Sequence, residues 1–341
     1  MRITSVTAIV ASLIALALVG VASASASVGA NLRVLNTEGK ALAQLRQYTD
    51  TVQIKTDPDA DCFGTGSGGS GRMATVDGPT ALGVVDDAQA TQKAIRPVSV
   101  TDAFGFGLGI CGFGGYKSDS GHFWYLKVNH VESSVGGDQV KLSGGDDVIW
   151  YLIRTDSCPP PDFFCQISDL ALQAPARARP NSLVPVHVDA YSRNGVKSNA
   201  AGAEINGGVE TAVTDADGNA LVNVGPAGMS QLSAVRGRDI PSQYRSLCIA
   251  EDLATCPAHR GMTLAGSDQA DQINGTSGPD KVKARGGDDR ISVRGGGADT
   301  VKCGGGRDVV KADRTDKVAK NCEKVRRPKH KHGQHKGKHK K

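Results

Sequence analysis

Apolar and polar residues alternate in short runs through most of this chain, and no long stretch at the three-and-four spacing of an amphipathic helix appears in its body. Alternation at Thr51-Val52-Gln53-Ile54-Lys55-Thr56, from Phe123 to Val128, at Gln139-Val140-Lys141-Leu142, at Asp147-Val148-Ile149-Trp150-Tyr151 and from Val184 to Tyr191 predicts strands. Ser143-Gly144-Gly145-Asp146 has turn chemistry and is expected to join the two runs beside it into an antiparallel pair. Ser192-Arg193-Asn194-Gly195 and Thr214 to Ala220 mark further corners, at the spacing of a small sandwich. With 43 glycines and only 4% aromatic residues, each core must be modest, so the chain reads as mainly β and multi-domain.

The beginning has a different pattern. Met1-Arg2, an apolar stretch from Ala8 to Val21 and then Ala24-Ser25-Ala26 form a charged start, a greasy middle and a small-residue cleavage site. The apolar stretch is short for a bilayer span of roughly 20 residues, so residues 1–26 read as a signal peptide cut after Ala26. Export gives the eight cysteines an oxidising surrounding. They fall into four local couples: Cys62 with Cys111, Cys158 with Cys165, Cys248 with Cys256, and Cys303 with Cys322. None has the C-x-x-C spacing of a zinc site, so disulfides are expected.

The stretch 262–325 is the most regular. Aspartates with an aliphatic residue two positions later recur at Asp271, Asp280, Asp289, Asp299, Asp308 and Asp316, spaced 9, 9, 10, 9 and 8 apart. Glycine stands two before four of them, at Gly278, Gly287, Gly297 and Gly306. The pattern resembles the hemolysin-type (RTX) repeat Gly-Gly-x-Gly-x-Asp-x-U-x, a family that builds a parallel β-roll and binds calcium. The physics fits that resemblance. Each unit makes one turn and one short strand, two units complete a coil, and coils stack at roughly 4.8 Å. Calcium takes six to eight oxygens, more than one turn offers, so an ion would tie coil to coil. Asp271, Asp289 and Asp308 are expected on one edge, and Asp280, Asp299 and Asp316 on the other. Without the ion the carboxylates repel, so folding here should depend on calcium. Gln269 and Arg314 replace glycine in the end units, and Lys281, Arg285, Arg290, Arg294 and Arg307 add positive charge. The loaded turns are therefore expected around Asp280, Asp289, Asp299 and Asp308.

Two further resemblances cover the rest. Phe123 to Asn129, Val135-Gly136-Gly137-Asp138 and Leu142 to Trp150 resemble the transcobalamin C-terminal-like domain of secreted bacterial proteins, which implies a β-grasp-type fold over 28–155. Asn129-His130 stands where that family has Asn-Gly, and the helical partner that helps its relatives hold cobalamin is missing. Trp124 and Trp150 therefore read as core, and His122 and His130 as surface or turn residues. Gly64 to Gly71 lacks a phosphate-loop ending and reads as a flexible loop near Cys62. Thr214-Asp215-Ala216-Asp217-Gly218-Asn219-Ala220 resembles bacterial immunoglobulin-like domains, implying a sandwich over 167–250 in which Asp215 and Asp217 shape a turn. Between these modules, the prolines of 156–166 are expected to form a stiff joint that needs no extensive contact between neighbours.

The net charge of +5 comes from the end of the chain. Residues 326–341 hold eight Lys or Arg and four His with no acid, leaving 32 basic against 35 acidic residues elsewhere. This tail has no core formers and reads as disordered, suited to anionic wall polymer or another surface ligand through charge, without specific nucleic-acid reading. No nucleophile elbow, zinc-protease helix or paired-carboxylate setting appears. A secreted or surface-associated, non-catalytic, calcium-binding and adhesion-like protein is the expectation. The alternative is an extracellular binder of a small, cobalamin-like ligand, or an enzyme, using the leading module. Nothing in the sequence fixes the oligomeric state.

Overall fold

A computed structural model of the protein describes residues 27–62, 66–154 and 167–329. The expected leader at 1–26, the expected Cys158–Cys165 joint and residues 330–341 lie outside the described residues. The architecture is mainly β, as the alternation predicts, and the α-helix of the leading module is the short Gly83–Ala88.

The leading module is a mixed sheet. Val28–Leu35 pairs antiparallel with Ala41–Thr49 and parallel with Asp147–Arg154, which in turn pairs antiparallel with His122–Val128. Alternation gives the sheet two faces. One carries Leu32, Val34, Leu45, Trp124 and Trp150 into a core closed by Val84 and Val85 of the helix. Trp150 anchors there by donating to the Ala81 carbonyl at 3.2 Å. Both tryptophans are core residues. The hairpin expected from Gln139–Leu142 does not form. Both edges of Asp147–Arg154 are already occupied, and Val140 and Leu142 bond instead to Ala81 and Pro79. The described part of the glycine-rich segment, 66–71, is also not the flexible loop its composition suggests. From Ser67 onward it is tied down: the buried Ser67 accepts from the Cys62 N–H at 2.9 Å, and Ser70 donates to Asp102. At Gly68 the chain passes so near Pro58 that a Cβ would lie 2.2 Å from the Pro58 carbonyl oxygen, and at Gly69 one would lie 2.8 Å from the Thr56 side chain.

Residues 169–249 form two facing sheets. Asp169–Gln173, Leu183–Tyr191, Lys197–Asn199 and Asn219–Asn223 make one, and Arg177–Ala178, Arg245–Ile249, Gly228–Val235, Glu204–Asn206 and Ala212–Val213 the other. Leu172, Val186, Val188, Ile205, Val222, Leu232 and Leu247 fill the space between. Asp215 accepts from the N–H groups of Asp217 and Asn219, both at 2.9 Å, so it is spent on its own corner.

The contact between this unit and the leading sheet is extensive, contrary to the expectation of a joint that merely sets an angle. The sheet's second face, with Leu35, Tyr125, Ile149, Tyr151 and Ile153, packs on Ile167 and Ile240. Beside this apolar patch Lys127 and Asp169, both fully buried, form an ion pair. Lys127 also donates to the carbonyls of Tyr191 at 3.2 Å and Ser192 at 2.9 Å. His130 sits in a positive-φ turn, as expected of a turn residue. Its ring does more than face solvent: it bonds to the other oxygen of Asp169 and stacks on Tyr191 at 3.7 Å. A buried carboxylate must be paired, and that requirement holds the two units in register.

The last unit is a parallel roll of two strand columns. Thr263–Ala265, Lys281–Arg285, Thr300–Gly304 and Lys317–Val318 stack in one, and Gln272–Asn274, Arg290–Ser292, Val309–Lys311 and Lys324–Arg326 in the other. Leu264, Ile273, Val282, Ile291, Val301 and Val310 point inward and are at most 1% exposed, forming a thin shared core. The roll does not stand apart. Thr263–Ala265 pairs parallel with Ala41–Thr49, so one continuous nine-stranded sheet runs from the leading module into the roll. Tyr48 enters the roll's core, and its hydroxyl accepts from the Asn274 N–H at 3.1 Å. Gln47 donates to the Gly266 carbonyl at 2.9 Å. A stacked array needs its first repeat covered, and the leading sheet provides that cover.

The far end is closed by the Cys303–Cys322 disulfide, a 19-residue loop worth about 3 kcal/mol by chain entropy. Cys62–Cys111 and Cys248–Cys256 are also bonded. Arg326 was expected in the disordered tail but pairs with Lys311 as part of the last strand, and Arg327 donates to the Asp316 carbonyl at 3.1 Å.

Candidate metal centre

All six repeat aspartates are buried, none more than 5% exposed. The columns separate them as the spacing implies. Asp271, Asp289 and Asp308 precede the strands of one column, and Asp280, Asp299 and Asp316 those of the other. A carboxylate ladder runs up each edge. On the first, the N–H groups of Asp271 and Asp289 donate to Oδ1 of Asp289 and Asp308, at 2.9 and 3.0 Å. On the second, Asp280 and Asp299 donate to Oδ1 of Asp299 and Asp316, at 2.7 and 3.1 Å. The first ladder ends on a residue the aspartate pattern misses: the Asp308 N–H donates to Glu323 Oε2 at 2.8 Å. Glu323 with Val325 is a seventh unit, seven residues after Asp316, and a search for acid followed by an aliphatic two later would have found it.

The second carboxylate oxygens divide the turns into two kinds. Asp271 Oδ2 accepts from the Ser267 N–H at 2.6 Å, and Asp280 Oδ1 from the Thr276 hydroxyl at 2.8 Å, with Oδ2 taken by the Thr276 N–H. Asp316 Oδ2 is taken by the Asp313 N–H. Oδ2 of Asp289, Asp299 and Asp308 is buried and has no hydrogen-bond partner among the described residues. The cause lies four residues earlier. There the closed turns of Asp271 and Asp280 have Ser267 and Thr276, whereas the open ones have Arg285, Gly295 and Gly304, all at positive φ; Asp316 is closed differently, by Asp313 three before it. Positive φ swings the peptide so that its N–H no longer meets the carboxylate. Asp280, expected among the loaded residues, is thus self-satisfied, and the open set is Asp289, Asp299 and Asp308.

Main-chain oxygens lie beside the open Asp299 and in the turn before Asp308. A Cβ at Gly296 would lie 2.7 Å from the Thr276 carbonyl oxygen, 3.1 Å from that of Gly278 and 3.5 Å from Asp299 Oδ2. A Cβ at Gly306 would lie 2.1 Å from the Gly287 carbonyl oxygen. These are hard oxygen donors contributed by successive turns, as calcium requires. Among the described residues no three His, Cys, Asp or Glu side chains cluster tightly enough to hold a metal, so an ion here relies on such carbonyls. Of the Gly residues two before an aspartate, Gly278 is part of this cradle. Gly287, Gly297 and Gly306 each pass so close to the turn below that a Cβ would lie 2.8 Å or less from its backbone.

The electrostatics agree. Burial, reinforced by the charges of Asp271 and Asp308, pushes the Asp289 carboxyl up to about 7. Burial and the neighbouring Asp316 and Asp280 raise Asp299 to about 6. Asp308 is raised as well, first by burial. The basic side chains do not neutralise them. Lys281, Arg290, Arg294 and Arg307 are exposed, and Arg285 turns to Asp87 at 3.1 Å and Asp268 at 2.7 Å.

Residues 265–301 match the family model of the RTX calcium-binding nonapeptide repeat, in four copies. No curated protein and no solved structure matches the chain. Two of the three open aspartates, Asp289 and Asp299, therefore lie within a segment of calcium-binding repeats of the RTX type, and Asp308 continues the same ladder just beyond it.

Proposed function

We propose that the protein is an exported, non-catalytic scaffold whose roll is locked by calcium outside the cell, where it serves in surface contact. The observation that carries this reading is the set of three buried Oδ2 atoms, on Asp289, Asp299 and Asp308, that lack a hydrogen-bond partner among the described residues. Leaving such a charge unpaired is costly, and an oxygen-seeking dication offsets it. Calcium is abundant outside cells and scarce inside, so a roll built this way would set only after export. RTX repeats are typical of secreted proteins, and no helix among the described residues is long and apolar enough to cross a membrane. The leader at 1–26 and the disulfides suit the same compartment.

The mixed order of the leading sheet, with its central parallel pair and one helix, supports the β-grasp, transcobalamin C-terminal-like reading of 28–155. The two-sheet packing of 169–249 supports the immunoglobulin-like one. The basic tail would add attachment to anionic wall polymer through charge. Calorimetric titration of the full chain with calcium tests the central reading. Saturable binding is expected, and the combined change Asp289→Asn, Asp299→Asn and Asp308→Asn should remove it. Titration without heat, or binding unaffected by those changes, would overturn it.

A further inference from the structure

Where the leading sheet, the sandwich and the first coil of the roll meet, they enclose a cleft of about 650 Å³. Its walls carry four arginines: Arg33 and Arg46 from the sheet, Arg245 from the sandwich, and Arg260 from the segment entering the roll. The one acidic side chain in the lining is Asp147, which already accepts from Asn31 at 2.9 Å. Among the described residues none of the four arginines forms an ion pair; each is held by neutral oxygens instead. Arg33 donates to the Pro241 carbonyl at 2.8 Å, Arg46 to the Asn31 side chain at 3.0 Å, Arg245 to the Leu172 carbonyl at 2.9 Å, and Arg260 to the Ser246 carbonyl at 2.7 Å. Such bonds fix the guanidinium groups in place without a carboxylate in direct contact, and the charges of Asp147 and Asp169 nearby offset only part of the four.

Like charges gathered in a partly buried cleft are unfavourable unless something negative joins them. Burial lowers the pKa of Arg33, Arg245 and Arg260; Asp169 and Asp147 offset part of that at Arg33 and Asp147 at Arg245, while the charge of Arg245 lowers Arg33 and Arg260 further. The volume is that of a site for a metabolite-sized molecule. Guanidinium forks match carboxylate and phosphate oxygens in pairs, and the exposed ring of Tyr244 at the rim offers a flat surface for a ligand body. We propose that this cleft binds a small organic polyanion, bearing two or more phosphate or carboxylate groups, bridged between the arginines of the three units. The cleft reaches Thr276 of the first coil but holds none of the open aspartates, so the proposal does not depend on the reading of those turns.

The test is calorimetry on the full chain at fixed, saturating calcium and low ionic strength. Fructose 1,6-bisphosphate serves as the phosphate probe, tricarballylate as the carboxylate probe, and glucose as the uncharged control. One equivalent of either anion is expected to bind, with glucose silent, and the tighter anion identifies the preferred group. Arg46→Gln, which leaves the carbonyl-anchored arginines untouched, should weaken binding about tenfold. Tyr244→Glu changes an exposed residue and brings a negative charge to the rim, so it should weaken binding comparably even if the Arg46 variant folds poorly. Failure of both anions to bind, equal binding of glucose, or affinity unchanged in both variants, as binding to the basic tail would give, overturns the proposal.

Discussion

The interface between the leading sheet and the sandwich and the edges of the roll both bury aspartates, and they satisfy them in opposite ways. Asp169 meets Lys127 and His130 from the neighbouring unit, so its counter-charge is encoded in the chain. Asp289, Asp299 and Asp308 meet only the N–H of the coil below, and their remaining oxygens meet nothing. A third solution lies between the two, in the first coil, where Ser267 and Thr276 supply neutral donors to Asp271 and Asp280. The difference teaches where conditional stability resides. A contact with its own cation is permanent, whereas a turn that must take its cation from solution holds only when the solution supplies it.

The comparison can be broken at its permanent end first. Lys127→Ala leaves Asp169 buried without its lysine, and should cost about 3 kcal/mol or more, equally with calcium and with chelator, in denaturant unfolding. At the conditional end, Gly296→Ala places a methyl 2.7 Å from the Thr276 carbonyl oxygen, inside the cradle. It should remove one calcium from the titration and cost about 1–3 kcal/mol in calcium, with a smaller loss in chelator. Ser267→Ala takes away a neutral donor to Asp271, so about 1 kcal/mol should be lost whether or not calcium is present.

Acidity should show the same division. The folded carboxyls of Asp289 and Asp299 are raised to about 7 and about 6, above their unfolded values, so the folded chain holds more protons between about pH 4 and 7. In chelator their contribution is therefore favourable below about pH 4 and is lost as the pH rises through 6 to 7. Melting of the calcium-free roll should be several degrees higher at pH 5 than at pH 8, and saturating calcium should flatten that dependence.

How much of this could be read from the sequence follows from where each signal sits. The aspartate and aliphatic columns were legible because a nine-residue period writes itself directly into the chain, and so were the two edges. The division into open and closed turns was not. From Asp271 to Asp308 it depends on the residue four before the aspartate, where Ser267 and Thr276 differ from Gly295 and Gly304 in whether the N–H faces the carboxylate. Glu323 escaped notice because both its identity and its spacing depart from the repeat. The hairpin expected around Ser143–Asp146 failed because local turn chemistry says nothing about which edge of Asp147–Arg154 is free. The pairing of Thr263–Ala265 with Ala41–Thr49 spans more than two hundred residues and leaves no local pattern at either strand. Lys127 looks like an outward-facing residue of an alternating strand until a second unit covers that face.

The most direct test is hydrogen exchange of the full chain, read by mass spectrometry, with calcium and with chelator. Removing calcium should expose amides of the coils from Ala284 to Ala312, while Thr263–Ala265, held against Ala41–Thr49, and the sandwich strands of 169–249 stay protected. Unchanged protection of the upper coils in chelator, or equal loss across the roll and the sandwich, would contradict the claim that the open turns draw their missing charge from calcium.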